Sequence, residues 1–229
     1  MKKVALCLSG HVRNIDEFKE NTLEIIETLN ADVFISTWER DGVGCVFWAD
    51  EGVTQEGYAD IDSVKEIYKP KKIVVSKYEE YEELSEQFPG NFPNSRFASH
   101  INIKNTLLMF TKFKETVDLV KEYEKENNFK YDMVIRGRFD VSVESVGEEI
   151  LPNTVYCKRH PDNKIPDPAF FYADSDTIEK LTIDKNFYTE ELINSAQNSE
   201  DIFTKRAQSS GVNINVCDEI TYVLRGRTY

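Results

Sequence analysis

The opening of the chain carries a β-α-β pattern, and this pattern restricts the possible folds more than any other feature. Val4–Leu8 is apolar on both faces, which is typical of a strand buried between helices. Apolar residues then recur at helical spacing over Ile15–Leu29, and a second short strand, Asp32–Thr37, follows after a connection of two residues. A strand, a helix and a second strand in this order begin a parallel α/β sheet.

The longest periodic segment lies in the middle of the chain. Seven apolar residues from Ile103 to Tyr123 follow one another at steps of three or four, which predicts an α-helix within residues 100–127. A central strand is predicted directly after it, at Met133–Ile135. Further strands are predicted at 72–76, 155–158, 169–172, 213–216 and 220–224, and further helices at 61–68, 176–181 and 199–209. These elements predict one α/β domain over residues 1–229, with a mostly parallel central sheet flanked by helices.

The charge balance narrows the classes of partner. The chain has 28 Lys and Arg residues against 41 Asp and Glu, a formal net charge of −13. A broad negative field repels phosphate backbones and anionic lipid headgroups, so we expect no nucleic-acid partner. An anionic ligand would have to meet positive charge locally.

Hydropathy and cysteine spacing indicate where the protein works. No apolar run approaches the roughly 18 residues of a membrane span, and Val4–Leu8 is too short for a signal peptide. The four cysteines have neither metal-knuckle nor dense disulfide spacing, which favours buried thiols in a reducing compartment. We therefore expect a cytoplasmic protein with no membrane span.

The loop after the first strand is the first candidate binding site. It contains Ser9, Gly10, His11 and Arg13 and leads into the first predicted helix. Ligands of open parallel sheets bind at the carboxyl ends of strands, where helix N-termini offer unpaired N–H groups to anions. Gly10 would allow close backbone approach, and the Arg13 guanidinium suits a phosphate. The alternative is an ordinary β-α turn with a surface arginine.

The end of the central strand is the most informative segment. Arg136, Arg138 and Asp140 follow the apolar residues 133–135 and would share one side if the strand continued with a period of two. A carboxylate beside guanidinium groups can hold a hard divalent cation while the arginines bind phosphate oxygens. The alternative is a strand end stabilised by salt bridges.

Two further acidic segments are candidates. Glu200 and Asp201 stand in the first turn of the helix predicted at 199–209, where a carboxylate either caps the helix or acts as a general base towards a sugar hydroxyl. Asp167 stands between two prolines in a rigid segment and could face the same site.

Together these segments resemble small GT-A-type glycosyltransferases of viral and bacterial polysaccharide-synthesis loci. The resemblance covers roughly residues 3–225, with residues 40–95 matching loosely, and it rests on ALCLSGHVRN, DVFISTW, the long helix leading into YDMVIRGRFD, IPDPAFFYAD, and the SED helix followed by VLR. It implies a single GT-A-like domain with a Rossmann-like sheet, and a hexosyl- or deoxyhexosyltransferase. Such an enzyme moves a sugar from a nucleoside-diphosphate-sugar donor to a hydroxyl of a glycan or glycoconjugate acceptor.

The resemblance also implies roles for individual residues. Mn²⁺ or Mg²⁺ would bridge the donor diphosphate through a DxD motif, but the matching triplet here begins with Arg138, so only its last acid, Asp140, is present. Either Asp140 holds the ion with help from Asp167 or a water shell, or Arg136 and Arg138 neutralise the diphosphate directly.

The SED triplet resembles the xED motif of inverting members, which makes Asp201 the base and Glu200 the fallback. Ser9, Gly10, His11 and Arg13 would lie near the nucleotide.

Two other functions stay open at this point. A sugar-nucleotide nucleotidyltransferase can use a similar sheet, although the first loop lacks the longer glycine-rich and basic phosphate loop usual in such enzymes. A non-catalytic domain that binds carbohydrate or a partner protein is the second alternative, because the first acid of the DxD motif is missing.

Overall fold

The computed structural model gives the chain a mixed α/β fold. It describes residues 2–13, 15–40, 57–77, 81, 86–88, 90, 92–93, 103–143, 145–147, 149–159, 166–217, 222–224 and 227–228.

The described elements follow the predicted order closely. The strands are β1 Val4–Gly10, β2 Asp32–Trp38, β3 Lys72–Ser76, β4 Met133–Gly137, β5 Val141–Val143, β6 Thr154–Arg159, β7 Pro166–Ala173, β8 Asn213–Val216, β9 Tyr222–Leu224 and β10 Arg227–Thr228. The helices are α1 Ile15–Leu29, α2 Ile61–Tyr68, α3 Ile103–Asn127, α4 Ser175–Lys180, α5 Glu190–Ser195 and α6 Ser199–Ser209, with a 3₁₀ turn at Lys185–Phe187.

One seven-stranded sheet forms the centre, in the order β3-β2-β1-β4-β7-β6-β8. β3, β2, β1 and β4 pair in parallel, β7 runs antiparallel to both β4 and β6, and β8 is parallel to β6. The predicted, mostly parallel sheet is therefore confirmed. The chain moves outward from β1 to β3 and then returns to β4 on the opposite side of β1, so β1 and β4 flank a topological switch point.

Two hydrophobic clusters cover the two faces of this sheet. Helices α3 to α6 pack on one face and α1 and α2 on the other. β1 serves both clusters, because Ala5 and Cys7 point to the first and Leu6 and Leu8 to the second. The run at Val4–Leu8 is apolar throughout for this reason, as expected for a strand buried on both sides.

The segment after β4 differs from the sequence expectation. The strand ends at Gly137, and the chain turns at Phe139 and Asp140 into β5, which pairs antiparallel with β9 in a separate three-stranded sheet. Phe139 is buried in the α1 face and lies 6.0 Å from the ring of Tyr68. This anchored turn sets the position of the neighbouring Asp140.

The apolar stripe of α3 generates a stability prediction. Phe110 is fully buried in the cluster under α3, so Phe110→Ala should lower the free energy of unfolding by about 3–5 kcal/mol through lost transfer energy and a residual cavity. Leu151→Ala is the control, since Leu151 is 48% exposed and its loss should change stability by less than about 0.5 kcal/mol. Urea denaturation measures both, and equal effects would contradict this packing.

Candidate functional site

The carboxyl ends of β1 and β4 lie side by side at the switch point. Leu8 pairs with Gly137, so the loop after β1 and the turn after β4 leave the sheet next to each other. Gly10 adopts φ +107°, a conformation that other residues rarely take, and an added Cβ there would meet no atom of the described residues within 4 Å. No described residue therefore covers the Gly10 backbone at the carboxyl ends of the strands, where ligands of such sheets bind.

A carboxylate held by two arginines forms the centre of this edge. Arg138 donates from Nε to Oδ1 of Asp140 at 2.8 Å and from Nη2 to Oδ2 at 2.7 Å. Arg13, which follows β1, brings its Nε to 3.5 Å from Oδ2 of the same carboxylate. Burial raises the pKa of Asp140, but the charges of Arg138 and Arg13 outweigh burial and hold this pKa below its usual value.

Arg136 lies in the core next to this group. Its guanidinium is fully buried, and none of its three nitrogens has a hydrogen-bond partner in the part of the chain that the structure describes. The guanidinium carbon lies 5.6 Å from the ring centroids of both Phe113 and Phe171. Burial lowers the pKa of Arg136 to about 9, with a further contribution from the charge of Arg138. The structure thus joins Arg138 to Asp140 directly and places Arg136 beside two aromatic rings that contact each other.

Asp167 stands at the same edge of the sheet. β7 runs antiparallel to β4, and the pairing of Arg136 with Phe171 puts the beginning of β7 beside the end of β4. Asp167 is buried, and its Oδ1 accepts a hydrogen bond from the Ala169 amide at 2.7 Å. Its negative charge opposes the lowering of the Arg136 pKa, so the two groups interact electrostatically.

The N-terminus of α6 points to the same end of the strands as Asp167. α6 is followed by β8, and β8 begins beside Thr154 at the start of β6, which is the end of the strands away from Asp167. Phe203 in the middle of α6 lies 4.8 Å from the ring of Phe171, so the first turn of the helix lies further along, on the side of Asp167. Asp201 caps the helix reciprocally with the residues before it: its Oδ2 accepts from the Gln197 amide, and its own amide donates to Asn198 Oδ1, both at 3.0 Å.

Glu200, next to it, accepts from Ser199 Oγ at 3.0 Å. Both carboxylates remain partly exposed, so capping leaves them accessible.

The first loop contributes two more polar groups. The Ser9 hydroxyl is buried and has no hydrogen-bond partner within the described ranges. His11 Nδ1 lies 3.2 Å from the Arg40 carbonyl oxygen, and its ring centroid is 6.0 Å from that of Trp38. Ser9 and Gly10 belong to the end of β1 and not to the loop as predicted, and His11 and Arg13 follow them at the switch point.

Sequence reasoning missed a second buried cation. Lys112 is fully buried and donates to Ser76 Oγ at 2.6 Å and to Glu115 Oε2 at 2.8 Å, with its Nζ 4.0 Å above the ring centroid of Trp38. The apolar pattern of α3 did not indicate this burial, because Lys112 lies two positions after Phe110 and one before Phe113 and so falls outside the steps of three or four that define the stripe.

The donor set at Asp140 does not fit a divalent cation. Both of its oxygens accept from or face guanidinium groups, and the residues that the structure describes contain no group of three His, Cys, Asp or Glu side chains able to hold a metal ion.

Comparison with known proteins leaves the family undetermined. No family model and no curated protein matches the chain. A solved structure described as a glycosyltransferase involved in the glycosylation of the major capsid of PBCV-1 is 10% identical, covers 94% of this chain and 82% of its own, and aligns with a TM-score of 0.45. A similarity this distant does not identify an activity. None of the described helices has the length and apolar character needed to cross a membrane.

The contrast between the two buried cations generates a prediction. Arg136→Met replaces a buried guanidinium that has no hydrogen-bond partner among the described residues by an apolar side chain, so the free energy of unfolding should stay unchanged or rise by about 1–4 kcal/mol. Lys112→Met removes a hydrogen-bonded cation and leaves Glu115 and Ser76 without it, so stability should fall by about 1–3 kcal/mol. Thermal and urea unfolding compare the two variants. A comparable loss in both would show that Arg136 is equally well satisfied.

Proposed function

We propose that this chain is a glycosyltransferase that moves a sugar from a nucleoside-diphosphate-sugar to a hydroxyl of a glycan or glycoconjugate, and that the sugar is a hexose or deoxyhexose. One observation carries the proposal. The switch point brings the guanidinium groups of Arg13, Arg136 and Arg138 together beside the carboxylates of Asp140 and Asp167, in a chain whose net charge is −13. Guanidinium groups clustered at the carboxyl ends of β1 and β4 suit a diphosphate.

The donor would lie across the ends of β1 and β4. Arg13 and Arg138 present planar guanidinium groups that can bind phosphate oxygens through paired hydrogen bonds. Among the described residues the Ser9 hydroxyl has no hydrogen-bond partner and nothing lies within 4 Å of a Cβ added at Gly10, so the donor can approach this backbone closely, with His11 next along the chain. Arg136 adds a fixed positive charge from within the core.

The reaction is a single displacement at the anomeric carbon. The acceptor oxygen forms the new glycosidic bond while the bond from the anomeric carbon to the phosphate oxygen breaks, and the electron pair leaves with the nucleoside diphosphate. The arginines stabilise the negative charge that develops on this leaving group. Asp201 takes the proton of the acceptor hydroxyl, and Glu200 is the alternative base. Such a displacement inverts the anomeric configuration.

A donor screen tests the proposal directly. The protein is incubated with UDP-, GDP- and dTDP-sugars, with and without oligosaccharide acceptors, and free nucleoside diphosphate is measured. We expect release with at least one donor. Absence of release, together with no thermal shift by any nucleotide, would refute the proposal.

The other two functions give different results in the same screen. A nucleotidyltransferase would form a nucleotide-sugar from a nucleoside triphosphate and a sugar phosphate. A binding domain would show a thermal shift without turnover.

The position of Asp201 generates a sharper prediction. Asp201→Asn keeps an oxygen that can accept from the Gln197 amide, so the helix cap should persist, but the base is lost and kcat should fall by about 10²- to 10⁴-fold with little change in the KM for the donor. Glu200→Gln is the matched control and should retain most activity. If the control loses activity and Asp201→Asn retains it, Glu200 is the base.

A further inference from the structure

We infer that the donor diphosphate is bound without a divalent cation, by Arg13 and Arg138, and that it takes the place of Asp140, the carboxylate that these two guanidinium groups otherwise contact. The inference rests on the proposed function and names how that site takes its charged ligand. Asp140 then competes with the diphosphate for the two arginines and weakens its binding. A metal-binding Asp140 would instead strengthen it. The two roles predict opposite effects for the same substitution.

Both carboxylate oxygens of Asp140 already contact guanidinium groups. Arg138 contacts Oδ1 and Oδ2 with two nitrogens, and Arg13 approaches Oδ2 from the neighbouring loop. A cation bound to either oxygen would face at least one guanidinium nitrogen on that same oxygen, and like charges at such distances repel strongly in a partly buried site. The two arginines already supply the positive charge that a metal would bring.

Asp140 also lacks the companion ligands that a metal ion needs among the described residues. Hard divalent cations require several oxygen ligands, and the residue two positions before Asp140 is Arg138 rather than an acid. Asp167, the other predicted ligand, uses its Oδ1 to accept from the backbone of Ala169. Within the described residues, no set of three acidic, histidine or cysteine side chains converges anywhere.

The two guanidinium groups are more accessible to solvent than the carboxylate that they hold. The side chains of Arg13 and Arg138 are 18% and 26% exposed, whereas that of Asp140 is 7% exposed. A ligand arriving from solvent therefore meets the guanidinium groups before the carboxylate. A phosphate group presents oxygens at a spacing similar to that of a carboxylate, so it can take over the same paired hydrogen bonds.

The buried guanidinium of Arg136 supplies a further positive charge behind the site. Arg136 is buried without a hydrogen-bond partner among the described residues, and its electrostatic interactions include Asp140 and Asp167. When the diphosphate displaces Asp140 from Arg138, this carboxylate remains close to the Arg136 charge and is not left isolated. The exchange therefore costs less than the exposure of an unpaired buried carboxylate would.

The test measures the binding of UDP, GDP and dTDP by calorimetry, in excess EDTA and in excess Mn²⁺ or Mg²⁺. For the nucleotide that binds, we expect affinities in EDTA and in metal to agree within about 3-fold. Asp140→Asn preserves the shape of the side chain and removes the competing charge, so binding in EDTA should tighten by about 3- to 10-fold. Arg138→Gln should weaken it by at least about 10-fold.

Control variants keep the test independent of folding and of net charge. Arg13→Gln removes the second guanidinium and should also weaken binding, which covers the case in which Arg138→Gln fails to fold. Lys72→Gln removes a positive charge at the beginning of β3, at the opposite edge of the sheet, and should leave binding unchanged. Circular dichroism and thermal unfolding verify that each variant is folded.

Two outcomes overturn the inference, and they differ in what they mean for the function. Binding that requires Mn²⁺ or Mg²⁺ and disappears in Asp140→Asn refutes arginine exchange and leaves the transferase proposal intact. Failure of every nucleoside diphosphate to bind, with and without metal, refutes both the inference and the proposed function.

Discussion

The parallel pairing of β1 with β4 is the interaction on which the rest of the structure depends. Both strands are buried on both faces, so their backbone groups have to be satisfied by neighbouring strands, and β1 is the strand that β2 and β4 share. This pairing brings together two segments far apart in sequence, the loop carrying Arg13 and the turn carrying Asp140. The salt bridge between these two residues is therefore a product of strand order.

Local sequence patterns predicted most of the elements, and the structure shows why. The bounds of β3, β8, α1 and α6 agree with the periodicity or the cap signals read from the sequence, because each element buries one regular set of side chains. β5 was missed because it has three residues and exists through its pairing with β9, a contact between distant segments. The turn at Phe139 was missed for the same reason, since the core position of Phe139 depends on α2.

The candidate site was predictable in composition and less so in geometry. Residue type and position identified Arg13, Arg138 and Asp140, because charged side chains directly after buried strands lie at the carboxyl ends where such sheets bind ligands. Sequence alone could not place Arg136, whose neighbour two positions earlier, Val134, lies in the α3 cluster. Whether the next position on that face is open or covered depends on Phe113 and Phe171, which come from two other elements. Asp201 illustrates a further limit, because a helix cap and a catalytic base require the same residue type at the same position.

The buried Lys112 has a consequence for following the first loop experimentally. Its Nζ lies 4.0 Å from the ring centroid of Trp38. The ring of His11, in the loop after β1, lies 6.0 Å from the same indole. Trp38 is 2% exposed and is one of only two tryptophans in the chain. Indole emission is sensitive to nearby charges and to the approach of an imidazole ring. The chain thus contains an intrinsic optical probe, requiring no label, that sits where helix α3 meets the loop at the end of β1.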